Sequence, residues 1–380
     1  MSTKVFIVII ISAYLVLYTN DTALCQEVRS KDSVQPGVYF KVEDAIKNPL
    51  DVKVLKLSNQ NLKTFPVSVR DFKYLEKIDI SYNKLTEIPV LILDVKTLKS
   101  LDLGHNQINQ IPENLSQLEN LEELYINNNQ IKRIPDCVVK LKKLRNLFAY
   151  NNKLTEIPER IGEITSLQKL YVFNNKISKI PESVCELVKL KVLDFHNNNL
   201  SSLPNRLDHL VNLEELFLHV NKLTTFEYEV QVFNKLRVLD LSYNQILVLP
   251  DSIDKLNSLE KLDISYNHIT KLPDRIGNLK KLRELVMYNC NLETLPESIG
   301  GLDSLSTLVA PFNKIKSIPA SIGNLKILEG IDLSKNELTT LPETLAGCIN
   351  LKKMFLSSNP FSMSEKIRIT KLIPKVKISW

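Results

Sequence analysis

One feature constrains the possible folds of this chain more than any other: a leucine-spaced motif returns every 23 residues from Val52 to Asn359 without an insertion. A fixed period of this size is typical of stacked repeats, in which each unit is too small to bury its own apolar face and relies on its neighbours. A chain of 380 residues would ordinarily divide into about two or three domains. Because a solenoid grows by nearest-neighbour contacts, the period instead predicts one continuous array.

Fourteen repeats follow the pattern LxxLxLxxNxLxxLP, and the repeat that begins at Leu121 illustrates its positions. Leu124 and Ile126 alternate along a short strand and face the core, while the residues between them face the other way. Asn129, at position 9, follows the strand, and its amide is suited to bond backbone groups that the turn leaves unpaired. Pro135, at position 15, holds the backbone extended. Stacking these strands predicts a parallel sheet on the order of 60 Å long.

The predicted fold class is an α/β solenoid. It is a leucine-rich-repeat arc, or horseshoe, of about 14 repeats, with a parallel concave β-sheet and extended or 3-10 segments on the convex side. Terminal repeats need caps, because they would otherwise expose the core to water. The predicted boundaries are a signal peptide at residues 1–25, an N-terminal cap at 26–51, the repeat array at 52–359 and a C-terminal cap at 360–380.

Both caps are predicted to contain a helix. The N-terminal cap is predicted to hold a short one at residues 39–47. One face of that helix carries Val42, Ala45 and Ile46. In the C-terminal cap, a basic amphipathic helix is predicted to begin at Ser362 or Ser364 and to end at Ile373. A closing strand follows it and ends at Trp380, whose ring is predicted to cover the core.

Residues 1–25 differ from the rest of the chain. Lys4 precedes an apolar run at residues 5–18, and a polar stretch follows with Ala23 and Cys25 at the small positions. This pattern is typical of a secretory signal peptide, with cleavage after Cys25. The run of 14 residues is shorter than the roughly 20 that span a bilayer, so a permanent anchor is the weaker alternative. Lipidation at Cys25 is another. The chain is predicted to be secreted or displayed at the cell surface, with no integral membrane span after cleavage.

The charge of the chain is modest and mixed. The formal net charge is +6, and carboxylates are interspersed with the lysines and arginines, so a nucleic-acid partner is not predicted. Position 2 alternates in sign along the array, as Lys99, Glu122 and Arg145 illustrate. Neighbouring strands therefore place opposite charges side by side, which predicts a cross-strand ladder that stabilises the sheet.

Three stretches carry a resemblance to a known family. They are AIKNPLDVKVLKLSNQNLKTFP near the start, the repeated form LxxLDLSxNxLxxLPxxIGxLxxL, and the ending NPFSMSEKIRITKLIPKVKISW. Together they resemble the exported leucine-rich-repeat proteins of pathogenic spirochaetes, and the resemblance covers residues 26–380. The repeat alone is also similar to intracellular plant and animal proteins with the same unit, but the signal segment and the caps favour the spirochaete family. The resemblance implies a non-enzymatic, secreted or surface-associated protein that binds host proteins or receptors.

Motifs that carry chemistry are missing from the sequence. It has no phosphate-binding glycine loop, paired-cysteine zinc spacing, HExxH or nucleophile elbow, so neither an enzyme nor a cofactor site is predicted. One cluster is a candidate metal site. His196 and His219 occupy position 7 of adjacent repeats, and Asp194 lies beside them at position 5. Two imidazoles and a carboxylate are able to hold zinc, but a pair of surface histidines without further ligands is the preferred interpretation.

The concave face carries the strongest functional signal. Its position 5 is usually Asp and its position 7 is usually small, but both columns become aromatic in the middle repeats. The predicted binding residues are Tyr125, Phe148, Tyr150, Tyr171, Phe173, His196, Phe217 and His219. A smaller patch follows at Val286, Tyr288, Val309 and Phe312. Aromatic clusters that project into water and are rimmed by charge are typical of interface centres. The alternative is that neighbouring rings stabilise the sheet by stacking.

Three functional hypotheses follow. The first is a binding module that uses the concave aromatic residues to hold a protein partner, such as a host cell-surface or extracellular-matrix protein. The second is a structural or adhesive surface protein that acts through avidity or self-association. The third, and weakest, is a metal-dependent role at His196 and His219.

Overall fold

The computed structural model describes residues 35–227 and 233–380. Residues 39–380 form one compact unit, and residues 1–38 form another, of which only residues 35–38 are described. The signal peptide predicted at residues 1–25, including the cleavage or lipidation site at Cys25, lies outside the described residues. Within the described ranges, no helix is both long enough and apolar enough to cross a membrane.

Short strands recur at the repeat period. They are β1 Val38–Tyr39, β2 Val54–Lys56, β3 Lys77–Asp79, β4 Ser100–Asp102, β5 Glu123–Tyr125, β6 Asn146–Phe148, β7 Lys169–Tyr171, β8 Val192–Asp194, β9 Glu215–Phe217, β10 Val238–Asp240, β11 Lys261–Asp263, β12 Glu284–Val286, β13 Thr307–Val309, β14 Gly330–Asp332, β15 Lys353–Phe355 and β16 Lys377–Ser379. Strands β2–β16 lie in chain order in one parallel sheet, as in the pairing of Leu124 with Leu147. The predicted leucine-rich-repeat solenoid is confirmed.

Helical segments on the opposite side of the repeats are mostly 3-10 turns. The 3-10 helices span Val67–Asp71, Val90–Asp94, Glu113–Gln117, Asp136–Lys140, Ile161–Glu163, Glu182–Glu186, Leu207–His209, Asp251–Lys255, Ile276–Asn278, Glu297–Gly301, Ala320–Asn324 and Glu343–Gly347. The α-helices are α1 Val42–Ala45 and α2 Met363–Leu372. The motif proline is extended, as predicted: Pro135 has φ −74° and ψ 158°. A 3-10 helix begins directly after it, because the Pro135 carbonyl accepts a hydrogen bond from the Val138 N–H at 3.1 Å.

The leucine positions of every repeat form one continuous core. Leu121, Leu124 and Ile126 are fully buried, as are their equivalents along the array. Neighbouring strands align position by position, so each apolar side chain packs against the same position of the next repeat. Each repeat thus supplies a layer that is shielded only by the layers beside it.

A ladder of buried asparagines ties the repeats together. Asn129 donates hydrogen bonds to three carbonyls, those of Leu103 at 2.9 Å, Ile126 at 3.2 Å and Asn127 at 3.1 Å. Its Oδ1 accepts the Ile108 N–H at 2.9 Å. These bonds satisfy backbone groups in two successive repeats where the chain leaves the strand, as the sequence predicted.

The predicted charge ladder is also present. Lys99 pairs with Glu76 at 2.8 Å, and Arg145 with Glu122 at 3.5 Å, in each case across neighbouring repeats. These side chains are exposed enough that each pair contributes at most about 1 kcal/mol. Their role is therefore to fix register more than to provide stability.

The caps differ in how closely they follow the sequence expectation. Helix α1 has only four residues rather than the predicted nine at 39–47, and Ile46, expected on its buried face, is 50% exposed. Ala45 alone of that face is fully buried. At the other end, Ser362 caps α2 by accepting the Glu365 N–H, and β16 pairs with β15. The Trp380 ring packs edge-on against Phe361, with centroids 5.6 Å apart.

Replacing Asn129 with Ala is expected to lower the free energy of unfolding by about 2–4 kcal/mol, because several buried backbone groups lose their partner together. Cys290 occupies the same position in its own repeat, and its Sγ lies 3.2 Å from the Ile264 carbonyl. Asn129→Cys is therefore the matched control and should cost less than Asn129→Ala. Denaturant titration measures both values, and equal losses would contradict this account of the ladder.

Candidate functional site

The side of the sheet opposite the core is called here the open face. Positions 3, 5 and 7 of each repeat lie on it, because side chains alternate along a strand. Equivalent residues of neighbouring repeats are Cα partners, as Tyr125 and Phe148 are across β5 and β6. Like positions therefore form columns that run across the strands.

The position-5 ladder consists of Tyr125, Phe148 and Tyr171. The Tyr125 and Phe148 rings stack with centroids 4.4 Å apart and planes within 3°, and Phe148 and Tyr171 stack at 5.0 Å and 8°. All three are half-buried. Asp194 interrupts the column on β8, and half-buried Phe217 follows on β9. The stacking brings three of the four predicted position-5 residues into direct contact.

The position-7 ladder consists of Tyr150, Phe173, His196 and His219. Its successive ring centroids are 4.3, 4.3 and 4.2 Å apart, and the planes differ by no more than 15°. The two ladders occupy adjacent columns over the middle repeats. All eight residues predicted for the binding site therefore lie in one region of the open face.

The expectation that these rings project into water is wrong for two of them. Phe173 is 6% exposed and His196 is 8% exposed. The physical reason is that each ring is sandwiched between the rings of both neighbouring repeats at about the strand spacing. A stacked ladder presents ring edges to solvent and hides ring faces, so the open face carries narrow aromatic strips.

Buried carboxylates surround the histidine pair. His196 Nδ1 lies 2.7 Å from Asp194 Oδ1, and His219 Nδ1 lies 3.2 Å from Asp240 Oδ2. Burial lowers the pKa of His219 and the His196 ring adds to this effect, while Asp240 opposes it. Residues 35–227 and 233–380 contain no group of three or more His, Cys, Asp or Glu side chains suited to hold a metal ion.

The position-5 aspartates have a structural role that the sequence analysis missed. Asp79 Oδ1 accepts the Ser81 N–H at 3.0 Å, and Asp102 Oδ1 accepts the Gly104 N–H at 2.8 Å. Asp194, Asp240, Asp263 and Asp332 bond the N–H two residues onward in the same way. The Asp-x-Ser spacing in several repeats was the available signal, because Asp and Asn side chains commonly bond the backbone two residues on.

Stacking the aspartates in a column also perturbs their acidity. Burial raises the pKa of Asp102 to about 7, with Asp79 on the neighbouring strand adding to the effect and the Gly104 N–H opposing it. Burial likewise raises the pKa of Asp263 to about 7, and Asp240 adds to it. The aromatic residues at position 5 therefore separate the pair Asp79 and Asp102 and the pair Asp240 and Asp263 from the single Asp194 between them.

A second row of aromatic residues lies at position 8 and was not predicted as a unit. The position-8 residue has φ between 49° and 60° in all fourteen repeats, which favours Asn over bulky side chains. Asn128, Asn151, Asn174 and Asn197 form a hydrogen-bonded amide row there. In later repeats Tyr243, Tyr266 and Phe312 occupy position 8, and Tyr288 lies beside them at position 7. These four residues form the rim ladder, with centroids 4.0, 4.9 and 4.7 Å apart.

The smaller patch predicted from the sequence is only partly present at the surface. Val286 and Val309 are 7% and 3% exposed, so their prediction as surface residues is wrong. They are Cα partners on β12 and β13, and each is short enough to lie below the solvent-exposed level of the face. Tyr288 and Phe312 do reach solvent, and Lys335 Nζ lies 4.0 Å from the Phe312 ring centroid. Both belong to the rim ladder.

The fold and the open face define a repeat solenoid whose sheet displays columns of side chains. Family models for leucine-rich repeats match the chain, one described as a leucine-rich repeat region at residues 92–174, 145–244 and 228–310, and one as a leucine rich repeat at 311–361. The chain belongs to the leucine-rich-repeat family. By sequence, no curated protein matches it.

Solved structures extend this comparison. A leucine-rich-repeat protein of Leptospira interrogans is 32% identical, covers 91% of this chain and 100% of its own, and has a TM-score of 0.70. The ectodomain of the plant receptor kinase GASSHO1/SCHENGEN3 from Arabidopsis thaliana, in complex with CASPARIAN STRIP INTEGRITY FACTOR 2, is 28% identical, with 88% and 44% covered and a TM-score of 0.67. An internalin of Listeria monocytogenes shares the fold at 23% identity, with 79% and 85% covered and a TM-score of 0.68. The fold is that of a protein-interaction module.

Replacing Asp102 with Asn is expected to raise the melting temperature by a few degrees at pH 8. An acid whose pKa is raised by folding binds its proton more tightly in the folded state, so stability falls as pH rises from about 4 to about 7. Asn removes that loss and keeps an Oδ1 acceptor for the Gly104 N–H.

Calorimetry at several pH values checks this prediction. The difference in melting temperature should shrink as the pH falls from 7 toward 4. The exposed Asp136→Asn provides the control. A gain that is the same at every pH would contradict the assignment.

Proposed function

We propose that this chain is a non-catalytic, exported protein-binding module that holds a protein partner with the position-5 and position-7 ladders. The observation that carries the proposal is the concentration of seven stacked rings in two adjacent columns of one sheet face. Outside the middle repeats, the same columns hold mainly aspartate and serine. The change in character is therefore local to one region of the open face.

The geometry of the ladders favours a broad partner surface. Rigid rings lose little conformational entropy when a partner covers them, and here neighbouring rings already fix each other. Their exposed edges alternate with the Tyr hydroxyl groups of Tyr125, Tyr150 and Tyr171, which supply polar contacts. Charged position-3 residues such as Glu123, Lys169 and Glu215 flank the strips on the strands. An apolar centre with a charged rim is the usual anatomy of a protein interface.

Known relatives support a protein partner. The receptor ectodomain to which the chain is similar was solved in complex with CASPARIAN STRIP INTEGRITY FACTOR 2, and it shares 28% identity over 88% of this chain. The aromatic strips extend over several strands, which suits a protein or an extended peptide more than a small molecule. The two ladders span β5–β9, roughly 20 Å across at the usual strand spacing.

Export and a host partner complete the proposal. The pattern at residues 1–25 is that of a secretory signal. The similarity to a protein of Leptospira interrogans, at 32% identity over 91% of the chain, agrees with the resemblance to exported spirochaete proteins. A host cell-surface or extracellular-matrix protein is accordingly the proposed class of partner.

The triple substitution of Tyr125, Phe148 and Tyr171 by Thr is expected to abolish partner binding. Truncated interface rings cost about 2 kcal/mol or more each, so affinity should fall at least about a hundredfold. Thr suits a strand and avoids the unbroken run of carboxylates that Asp would create next to Asp102. The lost stacking should lower the free energy of unfolding by about 1–3 kcal/mol.

The measurement compares the proteins that the parent and the variant retain from serum and host-cell extract. Each protein that only the parent retains is then titrated against both to measure its affinity. Tyr243→Asn with Tyr266→Asn is the matched control, because it removes a stacked pair from the rim ladder and installs the residue that a left-handed position prefers. The control should bind as the parent does. Equal binding by the triple variant would refute the proposed site, whatever the partner.

A further inference from the structure

The net charge of this chain is confined to one end of the sequence. Residues 351–380 contain seven lysines or arginines and one carboxylate, Glu365, which gives a net charge of +6. The formal net charge of the whole chain is also +6, so residues 1–350 are balanced. This segregation is independent of the aromatic ladders, which lie in the balanced part.

The last strand pair places two like charges side by side at position 3. At position 3, Lys261 on β11 pairs with Glu284 on β12 at 3.5 Å, and the described strands from β2 to β15 place no two like charges side by side in that column. On β15 and β16, however, Lys353 and Lys377 are direct Cα partners. Like charges placed opposite each other on neighbouring strands destabilise a sheet. The C-terminal end of the sheet nevertheless stacks two cations, as position 5 stacks the carboxylates of Asp79 and Asp102.

Some of the cations at this end are matched and some are not. Arg368 pairs with Glu365 at 2.7 Å, Lys352 pairs with Glu329 at 2.9 Å, and Lys366 Nζ lies 5.3 Å from the Trp380 ring centroid. Lys371, Lys375 and Lys377 are exposed, and within the described residues no carboxylate lies within ion-pair distance of them.

Helix α2 adds an apolar element to this basic surface. Its inner side buries Ile369 fully, whereas Met363 is 73% exposed and Ile367 is 50% exposed. Residues four apart share one side of a helix, so Met363, Ile367 and Lys371 form a single outward stripe. Exposing two flexible aliphatic side chains next to lysines gives no benefit to the core.

We propose that the C-terminal basic face, formed by Met363, Ile367 and Lys371 on helix α2 and by Lys375 just after it, docks on an anionic lipid surface. The lysines attract negatively charged headgroups, each contributing about 1 kcal/mol near such a surface. Met363 and Ile367 enter the boundary between headgroups and acyl chains, as the apolar side of an interfacial helix does.

The same features disfavour an acidic protein as the partner. Energetically important contacts between proteins centre on rigid, well-packed side chains that fill pockets. Here the apolar element is two mobile side chains on a convex helix, and the cations are lysines, which act as point charges rather than as planar forks. A fluid, negatively charged surface matches this combination better than a shaped one.

Vesicle flotation of the full chain tests the proposal, with phosphatidylcholine vesicles that contain or lack phosphatidylserine. The apolar run at residues 5–18 is common to the parent and to every variant, so the readout is the difference in binding between the two vesicle types. The parent should favour anionic vesicles, and the preference should fall with added salt. Lys371→Gln and Lys375→Gln should each weaken the anionic preference about fivefold. The double variant Met363→Ser, Ile367→Ser should weaken vesicle binding more at high salt than at low salt, because salt screens the contribution of the lysines.

A matched control changes the same charge elsewhere. Lys142, Lys143 and Lys189 line a shallow cavity of about 370 Å³ beside the middle strands, and their triple Gln variant should bind anionic vesicles as the parent does. Because Lys371 and Lys375 are exposed, their Gln variants should keep the melting temperature of the parent. No preference for anionic vesicles, or an equal loss in the control, would overturn the proposal. Binding to polyglutamate beads without vesicle binding would overturn it in favour of an acidic protein.

Discussion

Equivalent residues of successive repeats are held in register at the spacing of neighbouring strands, and the rest of the structure depends on this constraint. Each position of the repeat becomes a column, in which a side chain lies about 5 Å from the side chain at the same position of the next repeat. Asparagines in such a column bond two repeats at once, opposite charges pair, and rings stack at 4.2–5.0 Å. Because contacts reach only the adjacent repeat, a residue type stabilises the array through its column only when it recurs in neighbouring repeats.

The same constraint makes some residue types costly when they recur. Aspartate at position 5 serves the N–H at position 7, yet its carboxylate then faces another one in the next repeat, as Asp79 and Asp102 show. The pKa of Asp102, raised to about 7, is the result of that conflict together with burial. Aromatic residues in the middle of the column relieve the repulsion and stabilise the sheet by stacking. The two interpretations of the rings are therefore compatible: stacking preorganises the strips that a partner would contact.

Sequence alone determined the features that depend on the period. The number of repeats, the parallel register, the asparagine bonds and the charge pairs follow from which residues recur at which position. The sequence did not predict the solvent exposure of individual side chains on the open face, because exposure depends on the size of the neighbouring side chains. Phe173 and Val286 lie at positions that face outward, but flanking rings cover Phe173, and the short side chain of Val286 leaves it 7% exposed. The left-handed backbone at position 8 was hidden because Tyr and Phe occupy it as well as Asn, so residue preference gave a mixed signal.

The aromatic ladders and the C-terminal basic face lie in different parts of the chain, so binding at each would depend on a different kind of interaction. The repeats that carry the ladders belong to a part of the chain with no net charge, so contacts there depend on shape and on desolvation of ring edges. The C-terminal basic face has a long-range field that acts over about a Debye length and weakens with salt. Because residues 1–350 carry no net charge, added salt should weaken contacts at the basic face far more than contacts at the ladders.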